Sequence, residues 1–119
     1  MVNSGKAYFR VQHDLNDTVL LPELLGAHGY TTFATGKWHN GPSSWLRAFQ
    51  RGKAVFFGGM SDHTRVPLQD LAPDGTLIND REEGFSSEVF ADAVIEFLRT
   101  YLSLIHISEP TRPRLISYA

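Results

Sequence analysis

The run Tyr30-Thr31-Thr32-Phe33-Ala34-Thr35 is confined between Gly29 and Gly36, and its β-branched and aromatic side chains predict a short buried strand. Just upstream, Leu21, Leu24 and Leu25 recur at helical spacing, so residues 21–28 read as a short helix. Pro22 and Glu23 suit its first turn, and Gly29 can take the left-handed conformation that ends it. Leu20 stands at the cap position without a side-chain oxygen, a loss worth about 1 kcal/mol. Helix, tight turn and strand make half of an α/β unit whose carboxyl end delivers Lys37, Trp38 and His39. Ligands collect at that end of open α/β sheets. On an extended backbone Lys37 and His39 share one side, and Trp38 takes the core side.

Beyond this unit the signals weaken. Residues 1–17 are polar, lack a sustained period and read as a connecting segment. Pro42–Gln50 is a candidate helix with Trp45, Leu46 and Phe49 on one side, and Ala54–Phe57 a candidate strand before Gly58-Gly59. Met60–Gly84 holds Pro67, Pro73, Asp74-Gly75 and Asn79-Asp80, which predict a long turn-rich surface excursion, and long loops in compact domains are often functional. The clearest helix is Ser87–Tyr101. Ser86 can cap it, Glu88 favours its positive end, and Phe90, Val94, Phe97 and Tyr101 form its apolar stripe.

The tail follows a different logic. Leu102-Ser-Leu-Ile-His-Ile-Ser-Glu-Pro-Thr-Arg112 is the translation of the DNA adapter carried by transposase-based sequencing libraries. Pro113-Arg114-Leu115 fill the place of its cytosine and index, and Ile116-Ser-Tyr-Ala119 translate the bases after the index in the same frame. Residues 102–119 are therefore expected to be non-biological and disordered, leaving residues 1–101 for fold and function. A chain of 119 residues bounds the molecule to one small domain. Its net charge of −2 gives no nucleic-acid footprint, and no apolar run approaches the roughly 18 residues a membrane span needs. Cysteine is absent, which excludes disulfides, thiolate metal sites and a thiol nucleophile within these residues.

The series Leu21-Pro22-Glu23-Leu24-Leu25, Gly29-Tyr30-Thr31-Thr32 and Gly36-Lys37-Trp38-His39 strongly resembles the second signature region of the formylglycine-dependent sulfatases of the alkaline-phosphatase superfamily. Phe56-Phe57-Gly58-Gly59-Met60-Ser61-Asp62-His63 and Phe85-Ser86-Ser87-Glu88-Val89-Phe90-Ala91-Asp92 look like a bacterial branch of that family. Together they bring the resemblance over nearly all of residues 15–101. Leu20 departs from it, where the family often has threonine.

The resemblance implies that residues 1–101 are a piece of an α/β sulfatase catalytic domain, with an incomplete alkaline-phosphatase-like sheet flanked by helices. It implies hydrolysis of a sulfate ester, with a sulfated small molecule or glycan as substrate. A formylglycine-generating or equivalent maturase is the implied partner. Calcium is the implied cofactor, and its ligands and the formylglycine nucleophile are expected outside this chain, so the chain alone is expected to be inactive. A periplasmic or secreted location is expected of the intact enzyme. Lys37 is implied beside the sulfate, and His39 at a hydroxyl of the hydrated formylglycine. A fixed ammonium stabilises the charge spread over the equatorial oxygens of a transferring sulfate, and an imidazole suits removal of a proton near neutral pH. Asp62 and His63 are either solvated loop residues or contacts to the substrate's leaving group. Asn40 is a candidate neighbour of the site, whereas His13 and His28 lack metal-ligand spacing and read as surface residues.

Ser108-Glu109-Pro110-Thr111-Arg112 matches the Cys/Ser-x-Pro-x-Arg pattern in which formylglycine forms. It lies inside the tail, on the wrong side of Lys37, and is assigned no function. Two other readings stand: a phosphodiesterase or phosphonate hydrolase of the same superfamily, and a non-catalytic small α/β binding module. The adapter reading predicts that the parent DNA leaves this frame at Leu102. Amplification of the source locus across that codon checks it, and a genomic Leu102–Ala119 would overturn it.

Overall fold

The computed structural model describes Ser4, Gly5, Ala7 and residues 13–82 and 84–108. Their elements run α1 Leu21–Ala27, β1 Phe33–Lys37, α2 Pro42–Ala48, β2 Arg51–Phe56, β3 Pro67–Leu71, β4 Leu77–Glu82 and α3 Ser86–Ser108. The four strands form one sheet in the order β1-β2-β3-β4. β1 and β2 are parallel, joined by α2 as crossover, and β3 and β4 are antiparallel additions. The architecture is α/β with a mixed sheet, and β1 is an edge strand. Among the described residues no helix is long and apolar enough to cross a membrane.

A bulge in β2 sets the faces of this sheet. Ala34 pairs with Gly52, yet Gly36 pairs with Val55, so β2 carries one residue more than β1 across that interval. Its mark is Ala54 at φ 54, a left-handed conformation that costs a non-glycine residue roughly 1–3 kcal/mol. Opposite it, Gly36 takes φ 91, where glycine pays no such penalty. Side chains on both neighbouring strands hold the bulge. Asp70 of β3 accepts the Ala54 N–H at 2.8 Å, and the Thr35 hydroxyl of β1 donates to the Ala54 carbonyl at 3.3 Å. In consequence two successive residues face the same helix. Lys53 ion-pairs with Glu96 of α3, and Ala54 joins Phe56, Val66, Leu68 and Ala93 in the core beneath α3.

The other face packs on α2. Trp45 is 1% exposed and lies over Gly52, where an added Cβ would fall 2.2 Å from the indole, so the close approach requires glycine. The predicted apolar side of this helix is corrected: Ser44, Trp45 and Ala48 are buried, Phe49 packs partly as C-cap, and Leu46 points outward. α1 differs in the same way. Leu21, Leu24 and Leu25 are all exposed, and Pro22 is the helix's buried residue. Leu20 compensates for the missing cap oxygen by complete burial with Leu15, Ala48, Trp38 and Phe49. That burial stabilises by about 1.5–3 kcal/mol, more than the roughly 1 kcal/mol cap it replaces. Glu23 still serves the helix start by accepting the Leu20 N–H at 3.1 Å. Arg47 then ties the connecting segment to both helices, reaching Glu23 at 3.3 Å and the Leu15 and Thr18 carbonyls at 2.8 and 3.0 Å.

The predicted excursion over Met60–Gly84 is in large part a β-hairpin. Leu71 pairs with Leu77 around a turn in which Gly75 has φ 88 and the Asp74 carboxylate accepts both Thr76 donors. Pro67 is tolerated because it is the first residue of β3, and Asn79-Asp80 lie within β4 rather than in a turn. The predicted strand at Tyr30–Thr35 is shifted to Phe33–Lys37. As an edge strand it is half-buried, and Tyr30 is exposed.

α3 begins one residue before its predicted first turn and runs to Ser108, beyond the predicted end at Tyr101. Leu102–Ile107 contain neither glycine nor proline, so no backbone constraint stops the helix there. The part of the tail at 102–108, expected to be disordered, is thus helical, and positions 109–119 lie outside the described residues. Phe90, Phe97 and Tyr101 of the predicted stripe pack, joined by Val89 and Ala93. Phe97 stacks on Phe33 at 4.3 Å, Tyr101 stacks on Phe97, and Val94 faces out.

The bulge yields a stability test. Asp70→Ala orphans the N–H of wholly buried Ala54 and should destabilise by about 1–3 kcal/mol in urea unfolding, whereas Asp70→Asn keeps an acceptor and should lose less. Equal losses in the two variants would show that the Ala54 bond is not what Asp70 contributes.

Candidate functional site

Lys37 closes β1 and, opposite Phe56, stands at the carboxyl end of the parallel pair. Its ammonium donates to the Gly59 carbonyl at 2.5 Å, which ties the Gly58-Gly59 turn to the strand end. Among the described residues no carboxylate pairs with it. The side chain borders a cleft of about 370 Å³, whose other walls include Phe56, Ser61, His63, Val66 and Ser86. A cleft that combines apolar walls and hydroxyls with an exposed ammonium suits an anion carrying an organic group.

His63 reaches this cleft through the start of α3. Its carbonyl accepts the Ser86 N–H at 2.9 Å, and its Nδ1 lies 3.3 Å from the Ser86 hydroxyl. The amides of Glu88 and Val89 are committed to the Phe85 carbonyl at 3.0 and 3.1 Å. Ser87, the remaining first-turn residue, lines the cleft, so the positive end of the helix dipole faces the same space as Lys37. Ser86 is therefore not the predicted cap: it lies within the helix, 6% exposed, with its hydroxyl turned to His63. Sequence reasoning missed this pairing because Ser86 and His63 meet only when the hairpin folds back.

The predicted pair of Lys37 and His39 does not share the cleft wall. The chain leaves the strand at Trp38, whose N–H still bonds the Phe56 carbonyl at 2.9 Å and whose indole donates to Ser44 at 2.9 Å on the α2 side. His39 is exposed, with its ring centroid 5.6 Å from that of His13. Asn40 donates to the His13 carbonyl at 2.9 Å, and His28 bonds the Leu24 carbonyl at the end of α1.

Asp62 closes its own loop. It accepts the Thr64 N–H at 2.9 Å and the Thr64 hydroxyl at 2.7 Å. These bonds, the amide first and the hydroxyl second, hold its carboxyl below the ordinary value of 3.8, with a smaller contribution from the His63 ring. Its part is to shape the turn that carries His63, and it is not among the cleft-lining residues.

A larger cavity of about 540 Å³ opens at the other end of the parallel pair, between the hairpin turn and α3, with Phe33, Arg51, Pro73 and Phe97 in its walls. It contains none of the predicted site residues. Among the described residues no group of three His, Cys, Asp or Glu side chains is placed to hold a metal ion.

The Asp62 loop should respond to acid in one direction. Its folded carboxyl titrates below the unfolded value, so the loop is stabilised above pH 3.8 and loses that stabilisation as pH falls through the lower folded value. A carboxyl NMR titration should place the Asp62 midpoint below 3.8 in the chain and return it toward 3.8 in Thr64→Val. Because valine keeps the amide bond, an unchanged midpoint in that variant would dismiss the Thr64 hydroxyl as a cause.

No protein-family model matches the chain, and no solved structure matches its fold.

Proposed function

We propose that this chain is part of a sulfuric ester hydrolase of the sulfatase family, acting on a sulfate ester through a formylglycine encoded outside these residues. One observation carries the reading. The in-register series from Leu21 to His39 folds as helix, turn and strand, and its strand ends in Lys37, which borders a cleft and pairs with no carboxylate among the described residues.

Lys37 supplies positive charge where negative charge grows on the sulfate oxygens. His39 is exposed and free to approach a nucleophile from elsewhere, where its imidazole takes a proton from the nucleophile's hydroxyl. His63 borders the cleft and contacts the substrate, while Asp62 shapes the turn that presents it. Calcium, when bound in such an enzyme, neutralises sulfate charge. The described residues provide no donor set for it, so the part this chain plays rests on its own side chains. Among the described residues no strand pairs with the outer edge of β1, and Leu21, Leu24 and Leu25 lie exposed on α1. Both features favour part of a larger α/β assembly over a self-contained binding module.

In an enzyme containing this segment and its matured nucleophile, Lys37→Ala should lower aryl sulfate turnover at least about a hundredfold, the scale of one transition-state contact. Wild-type turnover in that variant would remove Lys37 from the chemistry. Faster cleavage of a phosphate diester than of a sulfate monoester by the unmodified enzyme would decide for a phosphodiesterase.

A further inference from the structure

Ser86 and His63 lie 23 residues apart and are joined twice, backbone to backbone and side chain to side chain. Ser86 is almost completely buried, although it opens the helix at a position where serine usually meets solvent. Its hydroxyl has a single proton, and the side-chain partner placed within reach of it among the described residues is Nδ1 of His63, which takes that proton when the ring nitrogen is bare. A neutral imidazole carries one N–H and one bare nitrogen, so a ring that accepts at Nδ1 must carry its proton on Nε2. That nitrogen has no protein partner among the described residues, and the ring lines the cleft that Lys37 borders. The His63 carbonyl, anchored to the Ser86 amide, prevents the loop from swinging the ring away.

We infer that Ser86 is a positioning residue: it fixes the Nε2–H tautomer of His63 and so makes His63 a second N–H donor, in the cleft that Lys37 also lines, for a tetrahedral oxyanion. The inference rests on the sulfate-ester reading for its ligand, and on the Ser86–His63 geometry alone for its tautomer. Lys37 carries the charge and can be approached from several directions. His63 adds a directed bond, so the two together orient the anion where Lys37 alone would only attract it.

The test uses the whole chain with ¹⁵N-labelled histidine. Long-range ¹H–¹⁵N spectra should show His63 as the Nε2–H tautomer in the wild type and in Ser86→Thr, and a mixture of tautomers in Ser86→Ala. Inorganic sulfate should shift the His63 Nε2 and Lys37 side-chain signals, with affinity about tenfold weaker in Ser86→Ala and restored in Ser86→Thr, the scale of one hydrogen bond to a charged group. An Nδ1–H tautomer in the wild type would overturn the inference, as would identical tautomers in Ser86→Ala. A fixed Nε2–H that sulfate leaves unmoved, together with an unmoved Lys37, would retain the Ser86 assignment and remove the sulfate reading of the cleft. Threonine rescue separates positioning by the hydroxyl from a loss of packing.

Discussion

The left-handed turn of Ala54 governs how the two helical layers meet the sheet. Side chains on a strand alternate, and a single inserted residue reverses every later position. Before the bulge β2 presents Gly52 to Trp45 and Lys53 to Glu96. After it, Val55 and Phe56 resume the alternation with Phe56 on the α3 side. Were the same sequence to alternate regularly through Ala54, Phe56 would face the opposite layer, and the apolar wall it gives the Lys37 cleft would be lost. The strain is tolerated because Asp70 and Thr35 occupy the bulge's amide and carbonyl from the two adjoining strands. An irregularity in β2 therefore places a wall of the site two residues further along the same strand.

The legible parts of the fold were those written locally. Proline in the first turn of α1 and α2, glycine after α1 and the spacing in α3 are short-range signals, and the elements formed where those signals lay. Facing was harder to read. Leu21, Leu24 and Leu25 keep helical spacing yet remain exposed, because their helix rests on α2 through Pro22 and the preceding Leu20. The hairpin was misread for a related reason. Pro67, Pro73 and Asn79 are turn residues by composition, but their meaning depends on the register of β3 against β4, which composition does not contain.

The site divides along the same line. Lys37 is legible because its place depends on one strand and one turn. His63 gains its place from Ser86 and the Phe85 ring, contacts set by tertiary folding and without a local mark in the sequence. Strict alternation put His39 on the side of Lys37, yet the chain stops being a strand at Trp38, and His39 follows the N-terminal segment toward His13 instead.

The contact between Trp45 and Gly52 binds two positions into one heritable choice. A side chain at 52 has no room while the indole is present, and a small residue at 45 leaves a void over the sheet that glycine cannot fill. Each change is harmful alone, yet a larger residue at 52 can occupy the space a smaller one at 45 vacates. Free energies at the two positions therefore do not add, and drift at either is permitted only along paths that move both.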